Sequence, residues 1–109
     1  MSWWISLNDP NTGFCADVES FQEGGTIVVG GSTDADMNVT YNYGKHFDFE
    51  HLHGMRARSS IPTLQRHVES LGKNRDEDYW NPTEGNVGFC LSILLKWAKQ
   101  YPNYIWRVT

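Results

Sequence analysis

The sequence has little that would let a protein act at a membrane, in an oxidising compartment or on a nucleic-acid backbone. Its longest strongly apolar run, Cys90-Leu91-Ser92-Ile93-Leu94-Leu95, falls far short of the roughly 20 residues that cross a bilayer. The start Met1-Ser2-Trp3-Trp4 lacks the basic opening of a signal peptide. Only two cysteines occur, Cys15 and Cys90; so widely spaced, they form no metal or redox motif and read as two reduced, buried thiols of a cytoplasmic protein. Nine Lys and Arg against 13 Asp and Glu give a net charge of −4. No excess of cations exists to displace counterions from a phosphate backbone, which excludes generic nucleic-acid binding. Aliphatic residues are also scarce: Leu, Ile, Val and Phe together make 24 of 109 residues, just above the level below which a chain cannot bury enough apolar surface to fold. The chain has room for one domain, residues 1–109, with one core.

Aromatic residues are what it does have. They form 14% of the chain, five of them Trp, and each buried ring removes roughly 150–250 Å² from water. A core this small does not hide every Trp, so some are available for stacking or partner contacts. Charge is unevenly spread as well. Residues 1–50 carry eight carboxylates against Lys45 alone, whereas residues 51–109 carry eight cations against five carboxylates.

Trp4-Ile5-Ser6-Leu7 has strand character, and Asn8 to Gly13 is dense in turn formers. Phe14 to Val18 reads as the returning strand of a hairpin. Gly24-Gly25 and Gly30-Gly31 bracket Thr26-Ile27-Val28-Val29, a β-branched segment expected to be a buried strand. Met37, Val39, Tyr41 and Tyr43 alternate with Asn38, Thr40 and Asn42, the period that puts one side of a strand on a core. From Gly44 to Ser59 the pattern lapses into a long connection with a helical turn near Asp48 to Leu52. A first helix is expected from Ser60 to Gly72, capped by the Ser60 hydroxyl, with Ile61, Leu64, Val68 and Leu71 on one face. Asn81-Pro82-Thr83-Glu84 predicts the start of a second helix, with Asn81 as its cap, running to about Gln100. Tyr104 to Val108 reads as a last strand. Strands, then two helices, then a closing strand predict an α+β domain: a small antiparallel sheet with two helices packed on one face.

The start of the second helix is the first candidate site. Its unpaired N–H groups favour an anion, and Gly85 and Gly88 lack side chains that would hold a ligand off the backbone. Two glycines there cost helix stability, so they serve either ligand approach or close packing. Thr83 and Asn86 belong to the same helix start, and Tyr79-Trp80 precede it, placed to stack a ring whose phosphate reaches Gly85. Arg56 and Arg58 precede the first helix and could fork onto a phosphate or make ordinary salt bridges. Asn38, Thr40 and Asn42 offer amide and hydroxyl groups, either to a groove or to solvent. His46, His51 and His53, with Asp48 and Glu50, are weaker candidates for a divalent metal; no Cys accompanies them and the spacing matches no closed zinc motif.

Trp4-Ile5-Ser6-Leu7, Gly24-Gly25-Thr26, Asn38-Val39-Thr40-Tyr41-Asn42-Tyr43 and Tyr79-Trp80 leading through Pro82-Thr83-Glu84-Gly85-Asn86 into a terminal helix together resemble a group of small proteins encoded by tailed bacteriophages and prophages. Gly88 departs from the helix former expected there. The resemblance implies a setting in the cytoplasm of a bacterial host, where such proteins include counter-defence factors that sequester nucleotide signals. The leading expectation is therefore a non-enzymatic, cofactor-free binding protein for a small anionic, nucleotide-like ligand, working as a homo-oligomer. One alternative is a protein-protein inhibitor of a host protein, and another is a small enzyme built on His46, His51, His53 and a metal.

Overall fold

Strand β1, Ser2–Asn8, alternates along its length. Ile5 and Leu7 are fully buried while Trp4 between strand neighbours is 45% exposed, because successive side chains of a strand point to opposite faces. The computed structural model describes residues 1–18 and 33–109. The expected strand Thr26 to Val29 and its flanking glycine pairs lie outside the described residues. β1 is the centre of a three-stranded antiparallel sheet, between β2, Asp36–Thr40, and β3, Ile105–Val108. Trp4 stands opposite Asn38 and Leu7 opposite Trp106. The expected strand Phe14 to Val18 is reduced to two isolated bridges, Cys15 to Asn8 and Asp17 to Asp34. Between them the turn at Asn8 to Gly13 forms as expected, with Gly13 at φ 78° and its N–H donating to the Asp9 carbonyl.

Two helices cover one side of this sheet, giving an α+β domain. α1 is Ala57–Leu71 and α2 is Glu84–Gln100. They run antiparallel, since the chain just after α1 lies on the start of α2 and the turn just after α2 meets the start of α1. Leu64 of α1 and Val87, Leu91 and Leu94 of α2 join Ile5, Leu7, Met37, Val39 and Trp106 in one core.

Three boundaries differ from expectation, each for a local reason. The β2 strand stops at Thr40 instead of continuing to Tyr43: the Thr40 hydroxyl accepts from the Asn42 N–H at 3.3 Å and starts a 3-10 helix, Tyr41–Lys45. Tyr43 thereby turns into the core and Tyr41 out of it. α1 begins at Ala57, before Ser60, because its first two N–H groups donate to the Tyr104 and Pro102 carbonyls at 2.8 and 2.9 Å. Those carbonyls do the capping, and Ser60 sits inside the helix, fully buried. α2 is capped by Thr83 rather than Asn81; Thr83 Oγ1 accepts from the Asn86 N–H at 3.1 Å, and the Asn81 amide turns away to Asp76. The expected turn near Asp48 to Leu52 is a 3-10 helix, Phe49–Leu52. Cys90 is buried as expected, but Cys15 is only half-buried, with Sγ 3.3 Å from Asn8 Oδ1.

Candidate functional site

At the start of α2 the chain itself fills the space expected for a ligand. A Cβ on Gly85 would stand 1.7 Å from the Asn74 carbonyl oxygen, and one on Gly88 would stand 1.7 Å from that of Gly72. Both glycines are buried. They let residues 72–74 pass directly over the helix, which closes the approach of a ligand to the backbone there. Asn86 is equally committed. Its Oδ1 accepts from the Asp76 N–H at 2.8 Å, and its Nδ2 donates to the carbonyls of Asp78 and Asn81 at 3.1 and 2.8 Å. One buried amide thus shapes the whole loop ahead of the helix. Glu84 stands in the first turn of the helix, where a carboxylate complements the positive end of the dipole.

Tyr79 and Trp80 are held to the rest of the chain through their backbone carbonyls. The buried Tyr43 hydroxyl donates to the Tyr79 carbonyl at 2.5 Å, the Asn42 amide reaches the Trp80 carbonyl at 3.5 Å, and His46 Nε2 donates to the Pro82 carbonyl at 3.1 Å. Burial pushes the Tyr43 phenol well above its ordinary range, with Cys90, Asp78 and Tyr79 adding to it, so it serves as a donor here. The Tyr79 and Trp80 rings lie 5.2 Å apart at 35°, with Trp80 half-exposed. Asn42, Tyr79, Trp80, Thr83 and Asn86 are therefore one neighbourhood, held by hydrogen bonds of its own.

The remaining candidates are elsewhere. Thr40 is buried and bonded to Asn42, while Asn38 lies on the outer face of the sheet and donates to Ser2 Oγ at 2.7 Å. Arg56 bridges Ile105, and the Arg58 guanidinium bonds Asn103. Both arginines belong to the end of the helix pair opposite Gly85, and the length of α2 separates the two ends by about 25 Å. A single anion site made from the arginines and the start of α2 is ruled out by that separation. The N–H groups beside Arg58 are also taken up by Tyr104 and Pro102. His46, His51 and His53 share no centre: His51 donates to the Asp48 carbonyl, and His53 Nδ1 accepts from the Val108 N–H at 3.0 Å. Among the described residues no group of three or more His, Cys, Asp or Glu is placed to hold a metal ion.

A different site becomes visible once the helices are side by side. Between α1 and α2, on the surface away from the sheet, runs an open groove of about 540 Å³. Val68 and Leu95 supply its apolar lining, Gln65, Ser92 and Gln100 its neutral polar groups, and Lys73, Lys96 and Lys99 its charge. Lys99 Nζ donates to Gln65 Oε1 at 3.2 Å, and Gln65 donates on to Glu69 at 3.0 Å. Of these residues the sequence pattern marks only Val68, as part of the apolar face of the first helix. The available signal was the stripe Ser92, Lys96, Lys99 at spacings of four and three, which marks one helix face but resembles any solvated face until α1 is laid against it. Comparison with family models, with curated proteins and with solved structures finds no match to this chain.

Proposed function

We propose that the protein is a non-enzymatic binding protein for a small anionic ligand of the nucleotide type, held in the groove between α1 and α2. The observation that carries this reading is the composition of that groove, three lysines around an apolar strip. Ammonium groups supply charge for phosphate, and the Val68 and Leu95 side chains offer a ring a dry surface. Pockets that bind small molecules combine these elements, mostly apolar walls with a few convergent polar groups. The groove is open on one side, and a second copy of the chain would close it, so the reading includes a homo-oligomer. Its setting, a counter-defence role in the cytoplasm of a phage-infected bacterium, rests on the sequence resemblance; no described helix is long and apolar enough to cross a membrane.

The test is calorimetric titration with ATP, cyclic dinucleotides and inorganic phosphate, on the wild type and on Lys96→Ala and Lys99→Ala. Removing one charge-assisted contact should weaken binding by roughly 10-fold or more while the melting temperature stays put, and the ligand should be recovered chemically unchanged. Absence of any saturable binding, or equal binding by the lysine variants, would falsify the reading; turnover of the ligand would replace it with an enzyme. Light scattering with and without ligand measures the oligomer.

One observation favours a second reading, the inhibitor of a host protein. Trp4 is 45% and Phe14 75% exposed, and by the strand register Asp36 lies on the same outer face of the sheet as Trp4. An exposed ring beside an acidic group suits a basic protein surface. A stoichiometric host protein retained by the wild type and lost by Trp4→Ala would favour it.

A further inference from the structure

Because β2 ends at Thr40, Tyr41 turns outward and comes to rest against Trp3, with ring centroids 4.7 Å apart and planes tilted by 57°. The Trp3 indole is fixed from three further directions. Phe49 packs at 5.1 Å, Glu50 Oε1 accepts from Nε1–H at 3.2 Å, and Gly44 passes so close that a Cβ there would stand 2.8 Å from the ring. Trp3, Tyr41 and Glu50 border a pocket of about 330 Å³, completed by His53, Val108 and Thr109. It shares no residue with the groove between the helices.

We propose that this pocket binds an organic cation, an alkylammonium or guanidinium group, against the Trp3 and Tyr41 rings and the Glu50 carboxylate. The argument is one of charge and shape together. An aromatic face carries negative potential and attracts a cation, more strongly when the site is partly dry. The indole N–H, the positive edge of Trp3, is turned to Glu50 Oε1, which leaves the second carboxylate oxygen for a ligand. His53 is held at the rim by the Val108 N–H, which its Nδ1 accepts at 3.0 Å. The lining carries the Glu50 carboxylate and no lysine or arginine. Arg107 neighbours Val108 in sequence but pairs across β1 with Ser6, on the opposite face of the sheet. An anion would be repelled by Glu50, and a neutral apolar group would leave that carboxylate dehydrated without compensation.

The experiment follows the Trp3 indole N–H resonance of the full chain during titration with tetramethylammonium chloride, against sodium chloride at equal ionic strength and against neutral 3,3-dimethyl-1-butanol. A saturable shift with the ammonium ion alone is expected. Glu50→Gln keeps an oxygen for the indole N–H and removes only charge, so affinity should fall at least about 5-fold at unchanged melting temperature. Tyr41→Phe, which keeps the ring, should bind nearly as the wild type, whereas Tyr41→Ala should not. Replacing the probe by N-acetyl-arginine amide and by an arginine- and lysine-rich peptide identifies the source of the cation. A peptide bound at least tenfold more tightly assigns it to a protein partner, and equal affinities assign it to a free small molecule. No saturable shift, an equal shift with the neutral alcohol, or full affinity in Glu50→Gln overturns the proposal. None of these outcomes bears on the lysine groove, whose variants are separate.

Discussion

Asn74 crosses directly over Gly85, its carbonyl oxygen 1.7 Å from where a Cβ on Gly85 would be. This contact, rather than a ligand, accounts for glycine in the first turn of α2. Alanine would gain about 1 kcal/mol of helix propensity, but a clash with backbone cannot be relieved by a rotamer change.

Gly85→Ala should therefore destabilise the fold by roughly 1–3 kcal/mol, the usual cost of overpacking, with a visibly lower denaturation midpoint. Gly88→Ala should do the same through Gly72, whose carbonyl lies equally close. Because residues 72–74 are one continuous segment, a shift that relieves one clash eases the other, and the double variant should cost less than the sum. Urea melts of the three variants measure this. Unchanged midpoints would mean that the segment yields freely and that the glycines have another purpose.

Asn86 makes the second prediction. Asn86→Ala leaves the Asp76 N–H and the carbonyls of Asp78 and Asn81 without the partner they have now. Water can reach parts of this exposed loop, so the expected loss is about 1–3 kcal/mol, concentrated locally. Amide exchange at Asp76 should accelerate more than exchange in β1. Asn86→Asp retains the acceptor for Asp76 but turns an oxygen towards two carbonyls, so it should be no better than alanine at neutral pH.

These positions also show where sequence pattern carries and where it stops. Ile5 and Leu7 alternating with Trp4 and Ser6 made β1 legible, and the stripe from Leu64 to Leu71 made most of α1 legible, because burial repeats with the period of the element. The errors at Tyr41, Ser60 and Asn81 came from reading a cap or a period locally. Thr40 ends its strand with one hydroxyl, and the true caps of α1 are carbonyls of Pro102 and Tyr104, more than forty residues away. Gly85 and Gly88 announced a close approach, but only the fold says that Asn74 and Gly72 make it. The lysine groove needed two helices side by side, and the Trp3 pocket needed the strand to break at Thr40.

The third prediction concerns Ser60 and Trp106. Trp106 Nε1 donates to Ser60 Oγ at 2.8 Å, and that hydroxyl donates in turn to the Ala57 carbonyl at 2.6 Å, with both side chains buried. Ser60→Ala strands a buried indole N–H and should cost about 1–3 kcal/mol. In a Trp106→Phe background the same change should cost clearly less, since no N–H remains to strand. A double-mutant cycle of chemical melts reads the coupling, and strictly additive costs would show that the bond contributes nothing to the joint between α1 and β3.

Asp36 makes stability depend on pH with a sign opposite to that of most carboxylates. Burial pushes its carboxyl above the ordinary range and Asp34 pushes it further, while a hydrogen bond from the Met37 N–H pulls the other way. The folded chain thus holds this proton more tightly than the unfolded chain does. Above the raised folded value the ionised group costs stability, and the cost fades as pH falls from that value to the ordinary one near 4. Asp36→Asn should accordingly melt higher than the wild type at pH 7 and no higher at pH 3. The half-buried Cys15 supplies an independent reading. Its thiol is raised first by burial and next by Asp36 and Asp34, against a lowering by Arg107. Removing the Asp36 charge should bring that thiol down, increase its thiolate fraction at pH 8 and speed its reaction with a chromogenic disulfide reagent. Cys90, buried and raised by burial alone, should stay unreactive in both proteins until they unfold. If Asp36→Asn instead melted lower at pH 7 with Cys15 reacting as before, the carboxylate would be a stabilising partner in the fold, and the stated direction would be wrong.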